Sequence, residues 1–471
     1  MTENLFAGKK TVHFVGIGGS GMRGVATVLA AAGHRVSGSD MADGQAILDL
    51  RGAGITVTIG HDAANLPEDP DLLVISAAVR ESNTEVAEAR NRGIPVVKYA
   101  LALGSLMAGR RGIAVAGAHG KTSTTGLLAF TLTRLGADPT YIMGGEIGSL
   151  GGSSRVGRGQ DLVAEACEYD RSFLHLRPEV AIVTNIDEDH LDYYSGIAEI
   201  TEAFRDFARL LPPDGLLIAL NELTEAFGPD AGIGCPVEFV GIREEADWVA
   251  RDVDFSGGVT SYTAARDGEE IVRVTVRLAG YHSVLNSLMV LAATTRLGHE
   301  PQEAAVAMRA FPGVRRRMEL KFRRAGITVF DDYAHHPAEI RATLKAIRAT
   351  HPGARIWCVF QPHQASRTRF LLREFAAALS DADRVLVPDI FFARDSEEEK
   401  RRISSRDLVK KVMNLGTRAR YVPDFSTLGE LLIERLRPRD VLVTMGAGNI
   451  FEVAEAVAER LEGYGSKSIP A

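Results

Sequence analysis

The sequence predicts an α/β protein of three domains, and three observations carry that reading. The chain has 471 residues, against a soft prior of roughly 150 per domain. Short apolar runs, the mark of buried strands, alternate with helical segments along most of it. Two of the intervening turns are glycine-rich loops that leave a strand and open a helix. A composition of 45% hydrophobic and 24% charged residues fits a folded globular chain.

The first domain is expected over residues 1–110. Its strand Thr11–Val15 runs into GIGGSG, then into the helix MRGVATVLAAAG, whose alanines favour helix and whose Gly33 ends it. The strand HRVSGSD closes this βαβ unit at Asp40, and DLLVISAAV (71–79) holds a further buried strand. The second domain is expected over 111–322. It opens on the strand Gly112–Ala116, followed by GAHGKTSTT and a helix, with later strands LVAEA (162–166) and VAIVTNI (180–186). Residues 241–278 change to short alternating segments that read as antiparallel. HSVLNSLMVLAATTRLG reads as a helix bounded by Gly298. The third domain, 323–471, alternates strands and helices again: GITVFDDYAHHP, ARIWCVFQPH, RVLVPDI and DVLVTMGAGNI, with GYGSKSIPA as a mobile tail. The first and third domains are thus expected to be Rossmann-like, and the central one P-loop-like with an added antiparallel portion.

Several function classes are excluded at this level. A net charge of −7, without a basic tail, does not suit nucleic acid; the Arg315–Arg317 run suits a phosphate better. Cys167, Cys235 and Cys358 are odd in number and far apart, which argues for a reducing compartment. No stretch has the length and apolarity of a membrane span, and the N-terminus lacks a signal-peptide core. The expectation is a cytoplasmic protein with small-molecule partners.

Gly16, Gly18 and Gly21 fit G-x-G-x-x-G between a strand and a helix, where backbone amides approach a pyrophosphate. Asp40, 19 residues after Gly21, stands where it could bond a ribose hydroxyl. Alone, this loop reads as a nicotinamide dehydrogenase or as a site for another nucleoside diphosphate, such as a UDP-sugar. The second loop decides between them. Gly117, His119, Gly120, Lys121, Thr122 and Ser123 form a shortened phosphate loop in which Lys121 reaches the terminal phosphates and Thr122 can ligate Mg²⁺. A dehydrogenase has no use for it. ATP with a second, nucleotide-like substrate accounts for both loops.

Acidic strand ends follow in the same domain, EACEYD (165–170) and NIDEDH (185–190). Ligands bind beyond the carboxyl ends of such strands, so Glu165 and His190 are expected to converge on the triphosphate and its Mg²⁺, with histidine the poorer ligand. The third domain adds Asp331, Asp332, Tyr333, His335 and His336 at a strand end, and His363 with Arg367 after the next strand, a set suited to a small carboxylate-bearing substrate. Zinc is disfavoured by the absence of a Cys pair or an H-x-x-x-H helix.

These residues resemble a known family. HFVGIGGSGM (13–22), AVAGAHGKTSTT (114–125), SFLHLRPEVAIVTNIDEDHLDYY (172–194), HSVLN (282–286), FPGVRRRME (311–319), DDYAHHPAEI (331–340), FQPH (360–363) and GAGNI (446–450) are similar, in order, to the Mur ligases. The resemblance implies an ATP- and Mg²⁺-dependent ligase that joins L-alanine to UDP-N-acetylmuramate through an acyl phosphate in peptidoglycan precursor synthesis, as a monomer or homodimer. It implies a UDP-sugar site at Gly16, Gly18, Gly19, Ser20, Gly21, Met22, Asp40 and Ser76. It implies metal ligands Thr122, Glu165 and His190. For ATP it implies His282, Asn286, Arg317 and Asp331 beside the phosphate loop. Tyr333, His335, His363 and Arg367 would face the amino acid, with Lys121, His190 and His335 in catalysis and domain closure assembling the site.

There are departures. Gln364 stands where these ligases usually carry an arginine, which leaves the choice of amino acid open. EACEYD replaces an EADES-like segment, and its Tyr169 is shared with a relative that recycles a tripeptide. KYALALGSLM (98–107) also differs from the usual acidic form. A non-catalytic nucleotide-binding regulator is the remaining alternative.

Overall fold

The computed structural model describes residues 5–190, 193–243, 245–256, 259–278, 280–392 and 395–463. The expected tail from residue 464 onward, and residues 191–192 within the 172–194 segment, lie outside these. The chain divides into two compact units. One comprises Met1–Val253, Tyr262–Val276 and Leu285–Pro312; the other comprises Asp254–Ser261, Arg277–Val284 and Gly313–Ala471.

The first unit holds two sheets. Strands β1 (Thr11–Val15), β2 (Arg35–Asp40), β3 (Thr56–Ile59), β4 (Leu72–Ile75) and β5 (Val96–Lys98) form a five-stranded sheet in the order β3-β2-β1-β4-β5. Every pairing in it is parallel. The order reverses beside β1, so the loop after β1 opens into a crevice at the strands' carboxyl ends. Both faces are covered: Val12 and Phe14 enter one core, and Val15 enters another with Leu73 and Ile75.

The second sheet takes β6 (Arg111–Ala116), β7 (Thr140–Ile147), β8 (Gly152–Arg155), β9 (Asp161–Glu165), β10 (Val180–Val183), β11 (Leu216–Leu220), β12 (Val237–Ile242), β13 (Trp248–Asp254), β14 (Thr260–Arg266) and β15 (Glu269–Val276). Their order is β15-β14-β13-β12-β11-β10-β6-β9-β7-β8, and β6 pairs in parallel with β9 and β10. The loops after β6, β9 and β10 therefore emerge side by side. The antiparallel expectation for 241–278 holds only in part. β14 and β15 are neighbours joined by Asp267-Gly268, both at positive φ (51° and 87°), the pairing a tight hairpin turn requires. However, β12 and β13 pair in parallel through Val240–Ile242. Alternation shows which face is buried, not which way the neighbour runs.

The two sheets share one core. The helix Tyr99–Met107 approaches the segment after β9 so closely that a Cβ on Gly104 would fall 2.0 Å from the His175 carbonyl oxygen. The helix Ser20–Ala31 packs on β7 and β8, with Gly24 against Ile142.

The second unit carries β16 (Glu319–Arg324), β17 (Ile327–Asp332), β18 (Arg355–Phe360), β19 (Arg384–Val387), β20 (Arg418–Tyr421) and β21 (Asp440–Met445), in the order β16-β17-β21-β18-β19-β20. Only the β16–β17 pairing is antiparallel. Along β18, Ile356, Cys358 and Phe360 enter one core and Trp357 and Val359 the other, which is why ARIWCVF reads as a continuous apolar run. Among the described residues no helix is long and apolar enough to cross a membrane.

Candidate functional site

The first glycine loop is pinned to the end of β2. The amides of Gly16 and Ile17 both donate to the Ser39 carbonyl, at 2.9 and 3.0 Å, and the Gly18 amide donates to Asp40 Oδ2 at 2.8 Å. Asp40 Oδ1 accepts from the Ala42 amide at 3.1 Å. Asp40 is thus an anchor of the loop. The first-turn amides of the helix Ser20–Ala31 lack intrahelical acceptors, and no side chain caps them. An anion fits there.

These amides open on a cleft of about 270 Å³ lined by Ser20, Met22, Ser76, Tyr99, Glu165 and Cys167, among others. The Tyr99 hydroxyl lies where a Cβ on Gly21 would stand, 2.5 Å away. Gly21 is therefore required by the tyrosine above it. Burial, and then the charge of Glu165, push the Tyr99 phenol above its ordinary range. Cys167 reaches the surface of this concave wall, yet its close surroundings, then Glu168, push its thiol up to about 11.

In the second loop, Gly117 (φ 138°) and Gly120 (φ 83°) adopt conformations that favour glycine. The residues just beyond β10 brace the loop: Asn185 Oδ1 accepts from the His119 amide at 2.9 Å, and Asn185 Nδ2 and Thr184 Oγ1 donate to the His119 carbonyl at 2.9 and 2.5 Å. The first-turn amides of the helix Lys121–Arg134 lie beyond this bracing. Asn286 places its amide group over Gly120, 3.3 Å from where a Cβ would lie. Lys121 Nζ pairs with both oxygens of Glu168, at 3.0 and 2.9 Å, and also donates to the Gly117 and Ala118 carbonyls. Burial lowers the ammonium's pKa, but Glu168 outweighs it and leaves the group above its ordinary value.

Glu168, Asp189 and His190 bring ligand atoms within 4.8 Å of one another. His190 Nε2 lies 3.7 Å from Glu168 Oε1 and 3.9 Å from Asp189 Oδ2. Glu165 instead accepts from the Gly144 amide at 2.7 Å through Oε1. Thr122 is buried at the start of its helix. Carboxylates with a threonine hydroxyl suit a hard divalent cation such as Mg²⁺, and the imidazole suits it less well.

The second unit gathers another cluster. The His335 and Tyr333 rings are 5.4 Å apart, His335 and His363 are 6.2 Å apart, and His363 stacks on Phe391 at 5.7 Å. His335 Nδ1 lies 3.1 Å from the Tyr333 carbonyl oxygen, an acceptor, so Nδ1 carries the proton and Nε2 keeps its lone pair. Burial holds the His335 pKa below its ordinary value against Glu339, with Arg367 adding to the lowering. Arg317 lies over the Tyr333 ring and 3.8 Å from Glu339. Asp331 is fully enclosed, with Thr444 Oγ1 at 2.6 Å and Arg316 Nε at 3.3 Å on its oxygens. It anchors β17 to β21. His282 begins the helix Tyr281–Arg296, beside Gly280.

Three family models match in this order: the Mur ligase catalytic domain over residues 11–111, the Mur ligase middle domain over 115–294 and the Mur ligase glutamate ligase domain over 316–448. The UDP-N-acetylmuramate–L-alanine ligase of Caldanaerobacter subterraneus is 40% identical over 96% of this chain and 97% of its own. The one of Rubrobacter xylanophilus is 42% identical over 96% and 100%. The chain belongs to the Mur ligase family. The crystal structure of the UDP-N-acetylmuramate–alanine ligase from Thermotoga maritima superposes with a TM-score of 0.81 at 29% identity, covering 96% of this chain and 99% of that one. A murein peptide ligase from Psychrobacter arcticus shares the fold, with a TM-score of 0.70 at 24% identity over 98% and 99%.

As a Mur ligase the chain is an ATP-dependent, amide-forming enzyme. Its structure adds residues that sequence reading passed over. Glu168 lies three residues beyond Glu165 and holds Lys121, yet its segment departs from the family's usual form. Thr184 and Asn185 brace the phosphate loop. Tyr99 lines the cleft from KYALALGSLM, another departing segment.

Proposed function

We propose that this Mur ligase joins L-alanine to the carboxylate of UDP-N-acetylmuramate through an acyl phosphate, in cytoplasmic peptidoglycan precursor synthesis. One observation supports it above the rest. The cleft at Ser20–Met22 is also walled by Glu165 and Cys167, on the segment that carries the Lys121 partner Glu168. A sugar nucleotide held at the first loop presents its carboxylate beside the phosphate loop. Functionally the chain falls into three parts, divided near residues 110 and 322: sugar nucleotide, ATP and amino acid.

A free carboxylate is a poor electrophile, and phosphorylation turns one of its oxygens into a leaving group. The muramyl carboxylate attacks the γ-phosphorus of ATP, and ADP departs. Lys121 leaves Glu168 for the phosphates, and the amides of Lys121, Thr122 and Ser123 hold the transferred group in place. A magnesium ion held by Thr122, Glu165, Glu168 and His190 would supply further neutralisation of phosphoryl charge. Gly117, His119 and Gly120 shape this loop, and Asn286 covers it; His282 and Arg317 serve the nucleotide.

The alanine amine then attacks the acyl carbon, and phosphate leaves the tetrahedral intermediate. His335, neutral near pH 7, takes the ammonium proton at Nε2. Tyr333 and His363 surround the amino acid, and Arg367 pairs with its carboxylate. Phosphate release is to be followed with UDP-N-acetylmuramate, ATP and a panel of amino acids. Release with alanine, and not without the sugar nucleotide, is expected. Release that needs the sugar nucleotide with a tripeptide in place of alanine would replace this reading with a recycling ligase.

A further inference from the structure

Beneath the first glycine loop lies a buried polar cluster that none of the chemistry above uses. Glu85, on the helix Thr84–Asn91, is fully enclosed, as are His13 on β1 and Ser39 on β2. Glu85 Oε2 accepts from Ser39 Oγ at 2.9 Å and meets His13 Nε2 at 2.9 Å. Glu85 Oε1 meets His61 Nδ1 at 3.0 Å and accepts from Asn65 Nδ2 at 3.3 Å. A carboxylate offers about four acceptor sites, and all are filled here. Burial raises the Glu85 pKa, but the bonds from His13, Ser39 and His61 outweigh it and hold the carboxyl below its ordinary range. His13 Nδ1 extends the cluster to Ser37 Oγ at 2.8 Å, and His61 Nδ1 also meets Ser39 Oγ at 3.0 Å.

Ser39 is the link to the site. Its carbonyl takes the amides of Gly16 and Ile17, and the next residue, Asp40, takes the amide of Gly18. Three consecutive loop amides thus depend on where residues 39 and 40 stand. We propose that Glu85 is a positioning residue for sugar-nucleotide binding: clamped by His13, His61 and Asn65, it fixes Ser39 and thereby sets the glycine loop. Leucine at this position would fill space without fixing direction. A carboxylate with every acceptor site filled specifies a single orientation. This inference rests on the reading that the Gly16–Met22 loop holds the diphosphate of the sugar nucleotide.

Glu85→Gln turns an amide N–H₂ toward donors and breaks the clamp with little change in volume. Binding of UDP-N-acetylmuramate to the full chain is measured by calorimetry, with KM for each substrate, kcat and amide hydrogen exchange. The variant should weaken UDP-N-acetylmuramate roughly ten- to a hundredfold while KM for ATP and saturating kcat stay within about twofold. Wild-type affinity in Glu85→Gln overturns the proposal, as does an equal loss for both substrates. Ser39→Ala removes only the link and is read alongside, so that a folding defect in Glu85→Gln leaves the idea exposed. It should cost about three- to tenfold in the same affinity, and no change there also overturns it. Hydrogen exchange separates the two readings. If the sugar nucleotide fails to protect amides 19–22 in the wild type, the loop assignment fails. If it protects them equally in wild type and Glu85→Gln, only the role of Glu85 fails.

Discussion

Lys121 Nζ sits 3.0 and 2.9 Å from the two carboxylate oxygens of Glu168. The loop holds its lysine on an internal counter-ion, and under the proposed function the triphosphate takes that lysine from Glu168. Lys121→Ala removes the only charge that makes this exchange. It should cut kcat by about a thousandfold or more with circular dichroism unchanged, since oriented charge at a transferring phosphoryl group has effects of that order. Near-wild-type turnover would refute the phosphate-loop assignment.

Under the proposed function, the released Glu168 joins Thr122, Glu165 and His190 as a magnesium ligand, and its ligand atoms already lie close to those of His190 and Asp189. Glu168→Gln keeps the volume and loses the charge. The Mg²⁺ concentration for half-maximal activity should rise about tenfold or more. A magnesium titration of initial rates checks this. An unshifted curve would leave Glu168 with only its lysine.

Tyr99 stands directly over Gly21 in the cleft wall. Tyr99→Phe keeps the ring and removes the hydroxyl. It should raise KM for UDP-N-acetylmuramate by about five- to twentyfold, the scale of one hydrogen bond to a charged group, and leave KM for ATP alone. Initial rates at varied sugar nucleotide decide it.

Burial pushes Asp332 up to about 6 from its ordinary 3.8, against the pull of Arg317 and Thr343. Between these values the folded chain holds a proton that the unfolded chain has released. The resulting stability is fully present below about pH 3.8 and is lost as pH rises through 6. Asp332→Asn cannot show this loss. Relative to wild type it should gain on the order of 3 kcal/mol between pH 4 and 7, read from denaturation midpoints across that range. Parallel pH profiles would show that Asp332 titrates as an ordinary carboxyl.

Cys167 opens on the cleft, but its thiol is pushed up to about 11. Its thiolate fraction near neutral pH should fall about a hundredfold below that of a free cysteine. Alkylation by iodoacetamide, followed by mass spectrometry, should be correspondingly slow at this site. Labelling at the rate of free cysteine would contradict the enclosure.

Much of this site was legible in the chain. GIGGSG and GAHGKTSTT announce their loops because only certain residues allow a backbone to wrap a phosphate, and those residues are adjacent in sequence. The apolar runs of β6, β10, β18 and β21 announce their strands because both faces of a parallel sheet are buried. Asp331 and Asp40 show the limit. Each is a carboxylate at a strand end, and each bonds a neighbour, Thr444 or the Gly18 amide, that sequence distance hides.

By itself, then, the sequence determined the class of chemistry, the two glycine-rich strand-to-helix loops and the order of the domains, since each rests on local backbone geometry or short-range pattern. Only the tertiary structure decided that Lys121 rests on Glu168, that Glu85 gathers His13, Ser39, His61 and Asn65, and that Tyr99 covers Gly21. Hydrogen bonds and ion pairs act over a few ångströms, and which distant residues come that close is set by how the sheets and helices pack.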